Sequence, residues 1–305
     1  MSLKKKAKSF LVRLIKRGYW YNTVVFPDCD KFWKYNTFNT DVVNLGSTSA
    51  LHAFCYEDIP IKAANWALGH NPLRGDFSIL KNYFGFLNPK GSTVIIPLCP
   101  FSSLSGSYSY FEDRYYTLLY CTTIQGYSFR REQQILSLKN NPIPHYPLMA
   151  IFRDIKISFF TPKQSRLTEL QMEQDSKHWI VDWHKEFSVS SFSEPLSLIN
   201  QDAIEDAAEI LNDMISFCRD RQIRPVILIP PMYHTLSRKF TPETRKVLIE
   251  SLMKKVKDKS IWFYNYMDDP QFTDDISLFQ NSFLMNKKGA KKFTKRVLED
   301  IGLAL

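Results

Sequence analysis

Apolar residues gather in five short, nearly unbroken runs along this chain, and each run stops at a glycine, a proline or a polar cluster. "DVVNLG" (41–46) runs into "STS", "PIKAANWALGHNP" (60–72) reaches Gly69, and "STVIIPLCP" (92–100) closes on Pro100. "RPVILIPP" (224–231) ends on two prolines, and "SIWFYNY" (260–266) leads into an acidic loop. Runs of this length with such stops predict strands, and strands apolar enough to be buried on both faces belong to parallel sheets. Between them the apolar period changes to that of a helix. "GDFSILKNYFGFL" (75–87) is predicted to pack through Phe77, Leu80, Phe84 and Leu87. A second helix carries Ile204, Ala207, Ala208, Leu211, Ile215 and Cys218. "TPETRKVLIESLMKKV" has Thr241 and Pro242 at the N-cap and first helical positions, and a last helix from Asn286 to Ile301 buries Ala290, Phe293, Val297 and Ile301. Five strands alternating with helices predict an α/β fold, a three-layer α/β/α domain with a doubly wound five-stranded parallel sheet.

The pattern breaks twice. Residues 101–195, after the third strand, are rich in Tyr, Ser and Pro. A structureless loop of that length is foreign to a compact domain, so the segment reads as an insertion or lid, with one strand expected in "IKISFF" (155–160). Residues 1–38 form a basic amphipathic segment ahead of a single domain over 39–305. In that segment Phe10, Leu11, Leu14 and Ile15 lie among Lys8, Arg13, Lys16 and Arg17. Four apolar residues make a weak membrane anchor, so packing on the domain is the expected use.

With 44% hydrophobic and 14% aromatic residues, the 305-residue chain has material for a packed core, which excludes a disordered protein. The formal charge of +9 suits anionic surroundings, but there is no zinc-finger spacing, RNP pattern or heptad-backed basic region, so no nucleic-acid partner is expected. Nor is there a signal-peptide h-region or a run long enough to span a bilayer. Five cysteines at irregular spacing, Cys29, Cys55, Cys99, Cys121 and Cys218, read as buried reduced thiols without metal-ligand spacing. The expectation is a cytoplasmic protein, with peripheral contact at the inner membrane face as the alternative, and with neither metal nor cofactor.

In an open parallel sheet, ligands bind beyond the carboxyl ends of the strands. Here those ends carry "GSTS" (46–49), "GHNP" (69–72), "CPFSS" (99–103), "PPMYHT" (230–235) and "NYMDD" (265–269). The arrangement resembles the SGNH, or GDSL-type, esterases and acyltransferases, whose fold is flavodoxin-like. Their first block is a strand ending in Gly-Asp-Ser or Gly-Ser-Ser. "VVNLGSTS" is similar to it, with Gly46 and Ser47 matching and Thr48 at the nucleophile position. Gly69 matches the glycine of the second block. The last block, Asp-x-x-His followed by Leu-Asn-x-x-Gly-Ala, is similar to "NSFLMNKKGA". That stretch keeps Asn286, Gly289 and Ala290 but has Asn281 and Leu284 at the two catalytic positions. The oxyanion-hole asparagine of the third block has no counterpart in "PLCPFSS". More loosely, the chain resembles SGNH-like proteins of bacterial cell-surface polysaccharide clusters.

The resemblance implies ester chemistry, and the substitutions remove much of it. Leucine does no acid or base work, and asparagine carries no charge to stabilise an imidazolium. Without triad members, catalysis falls to about 10³ to 10⁴-fold over water. Thr48 keeps a hydroxyl, with Ser47 or Ser49 in its place if the register slips, although hydroxyls at 47–49 also suit helix capping. A displaced base is expected at His234 or His70, while His52 suits packing or capping. Cys99 beside the switch point raises a Cys–His pair with His234 against a buried thiol. Asp268, Asp269, Asp274 and Asp275 suit a solvated turn. Gly46, Ser49, Gly69, Asn71, Cys99 and Ser102 complete the expected substrate-binding edge.

Two functions follow. One is an SGNH-like protein, non-catalytic or weakly active, that binds a saccharide, an acylated small molecule or a partner enzyme in cell-surface polysaccharide or acyl-ester modification. The other is an active carbohydrate O-acyl esterase or acyltransferase, with Thr48 or Ser47 attacking and His70 or His234 as base.

Overall fold

The computed structural model describes residues 3–104, 112–159, 167–189 and 196–303. They form two compact units, Met1–Lys34 with Ser109–Ser165, and Tyr35–Tyr108 with Arg166–Leu305. Residues 109–165 of the expected insertion thus cluster with the N-terminal residues, and those from 166 onward with the sheet. In chain order the main elements begin with α1 (Leu3–Arg17), β1 (Val42–Asn44), α2 (Thr48–Ala53), β2 (Ala63–Asn65), α3 (Leu73–Tyr83) and β3 (Ser92–Pro97). There follow α4 (Phe129–Asn140), α5 (Leu148–Phe159), α6 (Glu169–Glu186), α7 (Leu198–Arg219), β4 (Ile223–Ile229), α8 (His234–Ser237), β5 (Trp262–Asn265) and α9 (Lys287–Asp300).

The sheet has the order β2-β1-β3-β4-β5 with every pair parallel. This is an α/β fold in three layers, and all five apolar runs supply strands. β3 and β4 form the longest ladder, Ser92 opposite Ile223 through Pro97 opposite Leu228. Because side chains alternate along a strand, Val42, Ile95, Val226 and Leu228 face the layer of Phe293, Val297 and Ile301. Val43, Val94, Ile96 and Ile227 are equally buried on the opposite side. Helices α2 and α9 pack on each other in one layer, and α3 packs on α7 in the other. Strand order reverses between β1 and β3, so the ligand crevice of such a fold opens there.

Two helical faces follow the sequence period, and one departs from it. Ile204, Ala207, Ala208, Leu211, Ile215 and Cys218 of α7 are all buried, as are Ala290, Phe293 and Val297 of α9. On α3 the buried face is Leu73, Asp76, Ile79, Leu80 and Tyr83, while Phe84 is exposed. Phe77 and Phe84 instead stack edge-on against Phe217 of α7, at 5.8 and 5.5 Å between ring centres. The stretch from Pro242 to Lys255 is helical, with Thr241 capping it through Thr244 N–H at 3.3 Å.

The first unit is helical. The strand expected in "IKISFF" is instead the end of α5, with Phe160 outside the described residues. Its β-branched residues continue a helical period set by Ala150, Asp154 and Ile157. Ile15, Trp20 and Ala150 form this unit's small core, against which Ile143 and Tyr146 pack. Asp154 ties it together, accepting Trp20 N–H at 3.0 Å and the Tyr146 hydroxyl at 2.8 Å. The expected packing of Phe10, Leu11, Leu14 and Ile15 holds for Ile15 alone; the other three are exposed. A 15-residue helix over so small a core buries one side chain and leaves the rest of its apolar stripe open.

Candidate functional site

The first strand end is built on a backbone that only glycine tolerates well. Gly46 has φ +111°, and a Cβ there would lie 2.6 Å from the Ala50 Cβ. This lets the chain turn tightly from β1 into α2. The turn is fixed from below by Asp76, a carboxyl 2% exposed. Its Oδ1 accepts Gly46 N–H at 2.9 Å and the Asn71 amide at 2.5 Å. Burial pushes the Asp76 carboxyl up to about 7, against the opposing pull of these two donors. Leu68 N–H donates to Gly46 O at 3.1 Å, closing the loop after β2 onto the loop after β1. Asn44 and Asn65 reinforce the join, the Asn44 amide donating to Asn65 Oδ1 at 2.9 Å. The Asn65 amide in turn donates to Leu51 O and Phe54 O.

Ser47 sits in extended conformation at the N-cap of α2, but its hydroxyl makes no cap hydrogen bond. The Thr48 Oγ1 accepts the backbone N–H of His70 at 3.0 Å. Capping by these hydroxyls is therefore not what holds the turn; Asp76 does that. Ser49, Gly69 and Asn71 are buried in the same pair of loops, and His70, at φ 54°, is exposed. The structure thus brings Gly46, Ser47, Thr48, Ser49, Gly69, His70 and Asn71 together at the edge where strand order reverses.

The other candidates have their own partners. Ser102 Oγ accepts Cys99 N–H at 2.9 Å and donates to the Cys99 thiol at 3.5 Å. Burial pushes that thiol above its ordinary value, the reverse of what a nucleophilic cysteine needs. His234 begins α8, with Nε2 2.9 Å from Glu169 Oε1 of α6 and Nδ1 3.3 Å from Thr273 O. Both ring nitrogens thus face acceptors other than Thr48. The second oxygen of Glu169 accepts the Tyr233 hydroxyl, and burial with that carboxylate holds the phenol well above its ordinary range.

The last block is a folding device. Asn281 Oδ1 accepts Phe283 N–H at 3.1 Å and Leu284 N–H at 2.7 Å, an Asx turn. Leu284 is buried. Asn286 caps α9 through Lys288 N–H and Gly289 N–H, while its amide donates to Ser277 O and Phe279 O. A Cβ at Gly289 would lie 2.1 Å from Leu278 O, which explains the glycine. Gln280 reaches back to α2, its amide nitrogen 3.0 Å from His52 Nδ1. The acidic loop is equally structural. Asp268 pairs with Arg245, Asp269 caps Pro270–Thr273, Asp275 caps Ile276–Leu278, and Asp274 lies 3.9 Å from His234 Nδ1. No cluster of His, Cys, Asp and Glu among the described residues could hold a metal, and none of their helices is long and apolar enough to cross a membrane.

No family model, curated protein or solved structure matches the chain. The residues that organise the site were only partly visible in sequence. Asp76 looks like a first-turn helix acid, and its one signal is a carboxylate on the face that also carries Leu73, Ile79 and Leu80. Glu169 and Gln280 carry no local signal, since their partners lie 65 and 228 positions away.

Proposed function

We propose that this chain is an SGNH-like protein that binds a saccharide or acylated small molecule at the β1–β3 edge without hydrolysing it, in cell-surface polysaccharide or acyl-ester modification. One observation carries the reading: the Thr48 hydroxyl accepts a backbone N–H and, among the described residues, hydrogen-bonds to no imidazole. A serine- or threonine-type nucleophile needs a base to remove its proton. Of the two candidate bases, His234 has its ring nitrogens turned to Glu169 and Thr273 O. What remains is an edge of hydrogen-bonding groups, Ser47, Thr48 and the His70 loop. Such groups suit sugar hydroxyls and acyl carbonyls, which need hydrogen bonds and no charge.

The alternative, an active carbohydrate O-acyl esterase or acyltransferase, draws on one observation. His70 belongs to the loop that holds Thr48, and its side chain is exposed. The two are separated by hydrolysis of 4-nitrophenyl acetate and of an O-acetylated oligosaccharide, each run on wild type, Thr48→Ala and His70→Ala. The binding reading expects turnover equal to buffer for all three, with the oligosaccharide still raising the thermal midpoint of the wild type. Turnover abolished by Thr48→Ala or His70→Ala would overturn it.

A further inference from the structure

We infer that helices α1 and α5 form a docking face for an anionic lipid bilayer. On α1, Phe10, Leu11 and Leu14 are 64%, 46% and 58% exposed; on α5, Leu148, Met149, Phe152 and Ile155 are between 51% and 79% exposed. At the helical period each set occupies an arc of roughly 100–120°. The buried side chains Ile15 of α1 and Ala150 of α5 belong to the unit's core, so the exposed arcs are a second apolar surface. The two arcs meet. Leu11 and Leu14 line one cavity of about 530 Å³ with Ile143, Tyr146, Ile151 and Ile155.

Charge decides what this face suits. Helix α1 carries Lys4, Lys5, Lys6, Lys8, Arg13, Lys16 and Arg17 and no acidic residue. None of these seven cations makes an ion pair with a described acid. On α5, Arg153 flanks the stripe and Lys156 falls within its arc, while the one acid, Asp154, lines the cavity and accepts Trp20 N–H and the Tyr146 hydroxyl. Arg153 also lies over the half-exposed Tyr19 ring, 4.9 Å from its centre. Large apolar side chains beside unpaired Lys and Arg match a surface whose negative headgroups lie directly above hydrocarbon. A single short helix with a few apolar residues is a weak anchor. Two adjoining helices double the inserted area, and the basic rim adds attraction to anionic lipid.

The test is co-sedimentation of the full chain with phosphatidylcholine vesicles, with and without phosphatidylglycerol. Binding is expected only with the anionic lipid, and should weaken as salt rises. Replacing Lys4, Lys5, Lys6 and Lys8 by Gln should weaken partitioning by about 100-fold or more. Leu14→Glu combined with Phe152→Glu, at exposed positions that leave the far-ultraviolet circular dichroism unchanged, should abolish it. Three results would overturn the inference. These are no binding to anionic vesicles at low salt, binding unchanged in the Leu14/Phe152 variant, and a solution dimer that this variant dissociates, which would make a second copy the occupant.

Discussion

The Asp76 carboxyl makes a prediction whose sign is fixed by its surroundings. In the unfolded chain an aspartate ionises near 3.8, and in the folded chain burial raises this one to about 7. At about 1.4 kcal/mol per pH unit, the difference makes ionising Asp76 cost the fold about 4 kcal/mol. Well below pH 3.8 both states hold the proton and the contribution is fully present. As pH rises from about 4 to about 7 the unfolded chain releases the proton and the folded chain keeps it, so stability falls. Above about 7 the loss is complete. Asp76→Asn keeps an acceptor for Gly46 N–H and Asn71 but has no proton to lose. Urea unfolding of wild type and variant from about pH 4 to about pH 8 isolates the effect, because every other titrating group cancels in the difference. The wild type should lose about 4 kcal/mol relative to the variant across that range. Parallel curves, or a wild type that gains on the variant as pH rises, would show that Asp76 folds as a carboxylate and refute the account.

Three further outcomes are expected. Gly46→Ala places a Cβ 2.6 Å from Ala50 at a left-handed φ, and should destabilise the chain by about 2–4 kcal/mol in chemical unfolding; a loss under half a kilocalorie would contradict the geometry. Asn281→Ala strips the acceptor from Phe283 and Leu284 N–H and should cost about 1–3 kcal/mol. Asn281→Asp, which keeps that oxygen, should be milder. In timed alkylation read by mass spectrometry, the exposed Cys121 should react first. Cys29 and Cys218 are buried and pushed up by burial to about 11 and about 12, so they should resist until the chain unfolds.

The sheet was legible because β1, β3 and β4 are buried on both faces, which leaves an apolar run whatever the neighbours are; β5 is an exposed edge and reads as a strand by its aromatic residues. Position in a parallel sheet then places Thr48, His70, Cys99 and His234 along one edge, since only the carboxyl ends of the strands are involved. Side-chain partners were not legible. Asn281 reads in sequence as a lost acid, whereas in the fold its oxygen serves two backbone N–H groups. His234 reads as a spare base, but its Nε2 is taken up by Glu169, 65 positions earlier in the chain. "IKISFF" favours a strand by residue type and becomes helix because Ala150 and Asp154 set the period before it. The exposure of Phe10 and Leu14 is invisible in an amphipathic pattern, which says that a stripe exists and not whether the fold has a surface to receive it.

The loop over 279–294 contains two separable instruments. Asn286 and Gly289 are fixed by contacts a few ångströms long, the cap on α9 and the approach to Leu278 O, and these work whatever stands at 281 and 284. Because the Leu284 side chain is buried, writing a histidine at that position would place a polar imidazole in an apolar setting, at a cost in stability unless it gains a hydrogen-bond partner. An engineer wishing to install ester chemistry on this scaffold would do better to leave the loop alone and begin from His70, whose backbone N–H already donates to the Thr48 hydroxyl from the neighbouring loop.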